Sequence, residues 1–203
     1  LDELREHSSW QTLSEESGAQ AGIGDPFWIV DPLDGSLNRL RGIPFNSISI
    51  ALYDNDEPIL GVILDLNEGD LYCGSSALGA WVNETPIHVS DVSAKADAIL
   101  CTGFPSSFDF DVGSISRVAS TCSDFHKVRM FGSAALSLAY VASGRCDSYW
   151  EEEIKLWDVA AGLALVSAAG GVAVKSDLDE KYHLIISAAA SSGLLVDHRT
   201  SRS

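Results

Sequence analysis

The stretch Trp28-Ile29-Val30-Asp31-Pro32-Leu33-Asp34-Gly35-Ser36 decides how this chain reads. Together with Pro26 and Phe27 it opens as a short apolar run, the pattern of a buried strand meeting a turn at Asp31-Pro32. A second carboxylate, Asp34, follows three residues after the first. Pro32 stiffens the turn, and Gly35 lets the backbone approach a ligand closely. Ser36 offers a hydroxyl and a backbone N–H at an expected helix start, where orphan donors favour a phosphate. Two carboxylates beside an anion cradle make electrostatic sense when a cation bridges them, the usual magnesium arrangement of hard oxygen ligands with phosphate completing the shell. Taken alone, an Asp-x-x-Asp pair is better read as Asp34 capping a helix and Asp31 satisfying turn amides.

Charge sharpens the question. The 203 residues carry 13 Lys and Arg against 29 Asp and Glu, a net charge of −16. A surface this acidic repels phosphate backbones and anionic membranes, so no nucleic-acid or membrane partner is expected. With five lysines in all, adaptation to high salt is one reading of the acidity; a merely solvated acidic surface is the simpler one. At 46% hydrophobic the chain is long enough to bury a core without disulfides. Its four scattered cysteines, Cys73, Cys101, Cys122 and Cys146, form no Cys-x-x-Cys pair and read as reduced core residues. The first ten residues carry four charges and no apolar run, so a cytoplasmic protein is expected rather than a secreted one.

Outward from the opening stretch, the pattern becomes a meander. Strands are expected at Ser47–Tyr53, Ile59–Leu66, Leu71–Cys73, Ala80–Val82 and Ile87–Val89, separated by Asn-, Asp- and Gly-bearing turns. Beyond a composition shift at Ser90–Lys95, helices and strands alternate. Helices are expected at Val112–Thr121, Ala134–Ser143, Val159–Ala169 and Ser191–Val196, and strands at Ala98–Thr102, Lys127–Phe131, Ser148–Trp150, Val172–Lys175 and Tyr182–Ser187. The fold class is therefore a layered α/β (α+β) sandwich, with an N-terminal subdomain at 1–92 and a C-terminal α/β subdomain at 93–203. Trp157-Asp158-Val159-Ala160-Ala161-Gly162 places another Asp at a helix N-terminus, followed by small residues that permit close packing. Glu15-Glu16 adds two more carboxylates upstream.

These three segments, in this order, resemble the inositol monophosphatase family of magnesium-dependent, lithium-sensitive phosphatases. The family pattern is Glu-Glu, then Asp-Pro-(Ile/Leu)-Asp-Gly-(Thr/Ser), then Trp-Asp-x-Ala-Ala-Gly with a later Gly-Gly, here Gly170-Gly171. Gly42-Ile43-Pro44, Gly79 to Asn83 and Gly132-Ser133-Ala134-Ala135 are similar to intervening family segments. The resemblance implies that Glu15, Asp31 and the Leu33 carbonyl hold one Mg2+, and that Asp31, Asp34 and Asp158 hold a second. It places Gly35 and Ser36 N–H groups on the phosphate, and Glu15, Asp34 and Ser36 in the catalytic group. Gly132, Ser133, Ala134 and Glu151 line the alcohol side, with Glu151 accepting hydrogen bonds from substrate hydroxyls; Glu152 and Glu153 read as solvated neighbours. The implied activity is hydrolysis of a small phosphate monoester, foremost an inositol monophosphate. Fructose 1,6-bisphosphate, histidinol phosphate and a 3′-phosphoadenosine nucleotide are the alternatives within the class.

Family members begin with two long helices before the Glu-Glu motif, and this sequence has no room for them before Glu15. That pair carries an Asp that bonds the hydroxyl matched by Ser36, and a Lys near a third, weaker metal site. The chain is expected to be a fragment, or to work without that partner, and to expose apolar sheet surface or form a homodimer that hides it. Arg39 and Arg41 flank the phosphate loop and read equally well as contacts to a second phosphate or as surface partners of the many acids. The competing class is a catalytically silent domain that binds metal or a partner protein. The complete carboxylate set speaks against it.

Overall fold

The computed structural model describes residues 2–16, 26–104, 108–179 and 181–197. A short helix α1 (Asp2–His7) leads into a seven-stranded sheet whose strands follow one another in space as in sequence. These are β1 (Thr12–Ser14), β2 (Phe27–Asp34), β3 (Ser47–Asp54), β4 (Glu57–Asp65), β5 (Leu71–Ser75), β6 (Gly79–Val82) and β7 (Thr85–Ile87). The β1–β2 pair is parallel and the rest antiparallel. Helix α2 (Ser36–Arg41) connects β2 to β3. A second, mixed sheet of five strands has the order β11-β12-β10-β8-β9. Its strands are β8 (Ile99–Thr102), β9 (Lys127–Arg129), β10 (Ser148–Lys155), β11 (Val172–Lys175) and β12 (His183–Ala189), with helices α3 (Val112–Ser123), α4 (Ala134–Ala142) and α5 (Leu156–Ala168) between them.

Helices α4 and α5 pack against each other and against both sheets, which makes the order of layers sheet, helix pair, sheet, with α3 outside. Their composition requires this position. Eight of nine residues of α4 and ten of thirteen in α5 are buried, and a helix apolar on every face is stable only when covered all round. The small residues of α5 set the spacing: a Cβ at Gly162 would lie 2.4 Å from the Leu138 Cβ of α4. By contrast α3 buries Val118, which joins Leu100, Phe125 and Trp150 in a separate cluster on the far side of the second sheet.

Alternation along β3 and β4 gives the first sheet two unlike faces. Ser47, Ser49, Ala51 and Tyr53 turn inward with Ile63, while Ile48, Ile50 and Leu52 pair with Leu64, Val62 and Leu60 on the outer face and stay half-buried. The outer face is therefore apolar and half-buried.

Several boundaries differ from the sequence reading. β2 does not stop at Asp31-Pro32 but continues to Asp34. Pairing with β3 and β12 carries β2 and β10 through residues that look like turns or solvated acids, so β10 extends to Lys155. β7 lies at Thr85–Ile87, earlier than expected, because Thr85 and Pro86 continue the pairing with β6. The expected final helix at Ser191–Val196 is a single 3-10 turn, Ser192–Leu194, with Leu194 fully buried. Cys101 and Cys146 are core residues, but Cys73 and Cys122 are only half-buried; all four are free.

Candidate active site

Residues three apart on a regular strand face opposite sides, yet Asp31 and Asp34 are both buried on the inner face. A register shift explains this: Asp31 pairs with Ser49 and Asp34 with Ser47, so three steps on β2 oppose two on β3. The extra residue is a bulge that re-aims the second side chain. The Leu33 N–H donates to Asp31 Oδ1 at 2.9 Å and fixes the first carboxylate. Gly35 follows in the left-handed region, φ 78°, as the residue before α2. A Cβ there would lie 2.8 Å from the Phe45 carbonyl oxygen, so the position needs glycine for both its conformation and its clearance.

Asp34 does not cap α2, which has no side-chain cap. It reaches the start of α4 instead. There it accepts from the Ala135 N–H at 2.9 Å, the Ala134 N–H at 3.3 Å and the Ser133 hydroxyl, with Ser47 Oγ at 3.4 Å. One carboxylate thus ties the first sheet to a helix about a hundred residues later, at the helix end that favours negative charge. Asn38 reinforces the join, its Nδ2 donating to the Phe45 and Phe131 carbonyls at 2.8 and 2.7 Å.

The third carboxylate comes from α5. The helix begins at Leu156, so Asp158 lies within the first turn rather than at the cap, a position held by Lys155. The helix starts early because Trp157 and Leu156 are buried and β10 feeds it directly. A register shift in β10 between Glu151 and Ile154, with Glu153 at φ 54°, lies between Glu151 and α5. Glu151 is buried on the same strand face as Tyr149, whose hydroxyl donates to Glu151 Oε2 at 2.5 Å. Glu152 is not a merely solvated neighbour; its Oε2 pairs with Arg117 at 3.1 Å.

A cavity of about 350 Å3 joins these groups. It is lined by Asp34, Asp158, Glu151, Gly132, Ser133 and Ala134, together with Phe104 and Met130. The expected residues Gly132, Ser133, Ala134 and Glu151 are therefore assembled at one end, although the Ser133 hydroxyl is already engaged by Asp34. Glu15 sits exposed in the turn after β1, and Ser36 is exposed at the first position of α2. Arg39 and Arg41 are exposed and not among the residues lining the cavity. Sequence reasoning missed Tyr149, Asn38, Gly103 and Phe104. Tyr149 lies two residues from Glu151, a spacing that any strand reading places on one face, and this was the available signal.

The electrostatics are those of an excess of negative charge. Burial, opposed by the Leu33 N–H and increased by the charges of Asp34 and Glu15, raises Asp31 to about 7. Burial outweighs four hydrogen bonds at Asp34 and raises it to about 6. Burial, and then the charges of Asp34, Asp31, Glu15 and Glu151, holds Asp158 well above the carboxylate range. Glu15 is thus close enough for its charge to act on both Asp31 and Asp158. Asp31, Asp34 and Asp158 do not converge as a trio within 4.8 Å; among the described residues only Glu3, Glu6 and His7 do so, on the exposed surface of α1. The hydrogen bonds at the start of α4 hold Asp34 there, while Asp31 and Asp158 lie close enough for a hydrogen bond between their side chains. The donor set is all oxygen and lacks a positive partner in the cavity lining, which fits a hard divalent cation.

The chain is similar to known proteins in sequence and in fold. The family model described as the inositol monophosphatase family matches residues 2–201. A Nus factor SuhB from Xylella fastidiosa is 42% identical over 168 residues, covering 82% of this chain and 61% of the relative. An inositol-1-monophosphatase from Mesorhizobium japonicum is 39% identical, covering 82% of this chain and 63% of the relative. The chain thus spans under two thirds of the length of these relatives. An inositol monophosphatase structure from Anabaena superposes with a TM-score of 0.84 at 35% identity, covering 95% of this chain and 79% of that one. With the order of motifs, the layered fold and the carboxylate-lined cavity all in agreement, the chain belongs to the inositol monophosphatase family.

Proposed function

We propose that the chain hydrolyses a small phosphate monoester in a Mg2+-dependent reaction, with an inositol monophosphate as the foremost substrate. The single observation that carries this reading is the bulge in β2. It turns Asp31 and Asp34 to one buried face beside Gly35 and within electrostatic reach of Asp158 and Glu15. Glu15, Asp31 and the Leu33 carbonyl would hold one Mg2+; Asp31, Asp34 and Asp158 would hold a second. The bound ions would supply an activated water and stabilisation of the leaving alkoxide. Gly35 and Ser36 present backbone N–H groups to the phosphate. The Ser36 hydroxyl and Glu15 would lie beside the attacking water, whose pKa the first ion would lower. Glu151 accepts a hydrogen bond from a hydroxyl of the leaving alcohol, with Gly132, Ser133 and Ala134 shaping that end. A bisphosphate remains the alternative, and one relative is named a fructose-1,6-bisphosphatase/inositol-1-monophosphatase.

The proposal includes a cytoplasmic homodimer and subdomains at 1–92 and 93–203. A second reading, a silent domain that engages a partner, draws on relatives named Nus factor SuhB. The complete carboxylate set favours turnover. The test is a phosphate-release panel with and without Mg2+ and Li+, run beside Asp158→Asn. Mg2+-dependent release, inhibited by Li+ and abolished by the substitution, is expected; release that ignores both Mg2+ and the substitution would sink the proposal.

A further inference from the structure

Glu151 is held on two sides. On one, the phenol of the fully buried Tyr149 donates to Oε2 at 2.5 Å. On the other lies the backbone of Gly103, just beyond β8: a Cβ there would come within 2.7 Å of Oε2 and 3.1 Å of both Oε1 and Cδ. No side chain fits against that face of the carboxylate while it stays where Tyr149 holds it. The pairing of Tyr149 with Cys101 brings Gly103 alongside, two residues past Cys101 and one beyond the end of β8. A flexible glutamate is thereby reduced to one orientation in the cavity shared with Asp34 and Asp158. Among the described residues no hydrogen bond from a side chain or a loop N–H reaches Oε1. Glu151 lines the cavity, so Oε1 can accept from a donor that enters it, and a hydroxyl on the leaving alcohol is such a donor.

We propose that Tyr149 is a positioning residue for substrate choice: by occupying Oε2 against the bare backbone of Gly103, it aims Oε1 at a hydroxyl of a polyol leaving group and so favours polyol phosphates over esters without hydroxyls. This rests on the phosphatase reading above. A preset acceptor saves the ordering of a three-torsion side chain when substrate binds. Loss of a well-aimed hydrogen bond of this kind corresponds to about a tenfold effect in affinity.

The experiment compares kcat and KM for myo-inositol 1-phosphate and 4-nitrophenyl phosphate, with Mg2+, in the original chain, Tyr149→Phe and Gly103→Ala. In Tyr149→Phe the kcat/KM ratio of inositol ester to aryl ester is expected to fall about tenfold, through KM for the inositol ester. Gly103→Ala presses on the same carboxylate from the other side and should lower the ratio in the same direction, which keeps the test open should loss of the phenol prevent folding. An unchanged ratio in both variants, or equal losses on both esters, would overturn the positioning role while leaving the phosphatase reading intact. Absence of Mg2+-dependent turnover of either ester by the original chain would overturn both.

Discussion

Two acidic regions of this molecule look alike on paper and differ in everything that matters to chemistry. On α1, Glu3, Glu6 and His7 bring ligand atoms within 4.8 Å of one another, with His7 Nε2 and Glu3 Oε2 3.8 Å apart. In the core, Asp31, Asp34 and Asp158 fail to close to that distance, yet their protons are held far more tightly than in free carboxylates. The α1 groups are exposed, and water compensates them. The core groups have been taken out of water and set against one another. Proximity on a solvated helix turn follows from the i, i+3 and i, i+4 spacing alone. Holding charges together inside a protein requires a bulge, a helix end and a glycine, and that construction is what marks a functional site.

The sharpest way to break this comparison is to remove one core carboxylate. Asp158→Asn should lower Mg2+-dependent phosphate release by about 100-fold or more, whereas its fold, followed by circular dichroism, should persist. Next in size is Gly35→Ala, which meets the Phe45 carbonyl and a left-handed φ together. Stability should fall by about 2 kcal/mol in urea unfolding, with activity falling alongside.

The pH dependence comes third. Asp31 and Asp34 have folded-state values of about 7 and 6, above the usual 3.8, so the folded chain binds more protons than the unfolded chain between those limits. Without Mg2+, stability should therefore decline as pH rises from about 4 to 7, and added Mg2+ should restore it above pH 7. A metal-free chain equally stable at pH 5 and pH 7.5 would contradict the buried-repulsion account. Asp179, exposed and held to about 2 by the His183 N–H first, has the opposite sign: its contribution is kept above about 4 and lost as pH falls toward 2. The smallest effect belongs to α1. Replacing Glu3 and Glu6 with Gln should leave activity unchanged and stability within about 0.5 kcal/mol.

Much of this was legible in the residues. The meander from Ser47 to Val82 and the strand Val172–Lys175 follow period-two patterning and turn residues, which are local signals. The stretch Asp31 to Ser36 was legible from its own residues, as were the helices at Ala134 and Val112. What was misread involves partners distant in sequence. Asp31-Pro32 looks like the end of a strand until β3 pairs beyond it, and Glu152 looks solvated until Arg117 of α3 reaches it. Val159 looks like the start of α5 until burial of Leu156 and Trp157 draws the helix back one turn. The terminal segment is apolar enough for a helix, but Leu194 is drawn into the core after one 3-10 turn.

By itself the sequence determined the layered α/β class, the family, and the carboxylates available to the site. Those properties follow from the order of residues along the chain and their local conformational preferences. Tertiary structure alone decided which way each carboxylate faces. The β2 bulge turns Asp31 and Asp34 to one side, the start of α4 claims Asp34, and Tyr149 with Gly103 fixes Glu151. Each of these depends on contacts between segments far apart in sequence. The acidity divides along the same line: a count gives the −16, but only burial distinguishes carboxylates that water compensates from those that call for a cation.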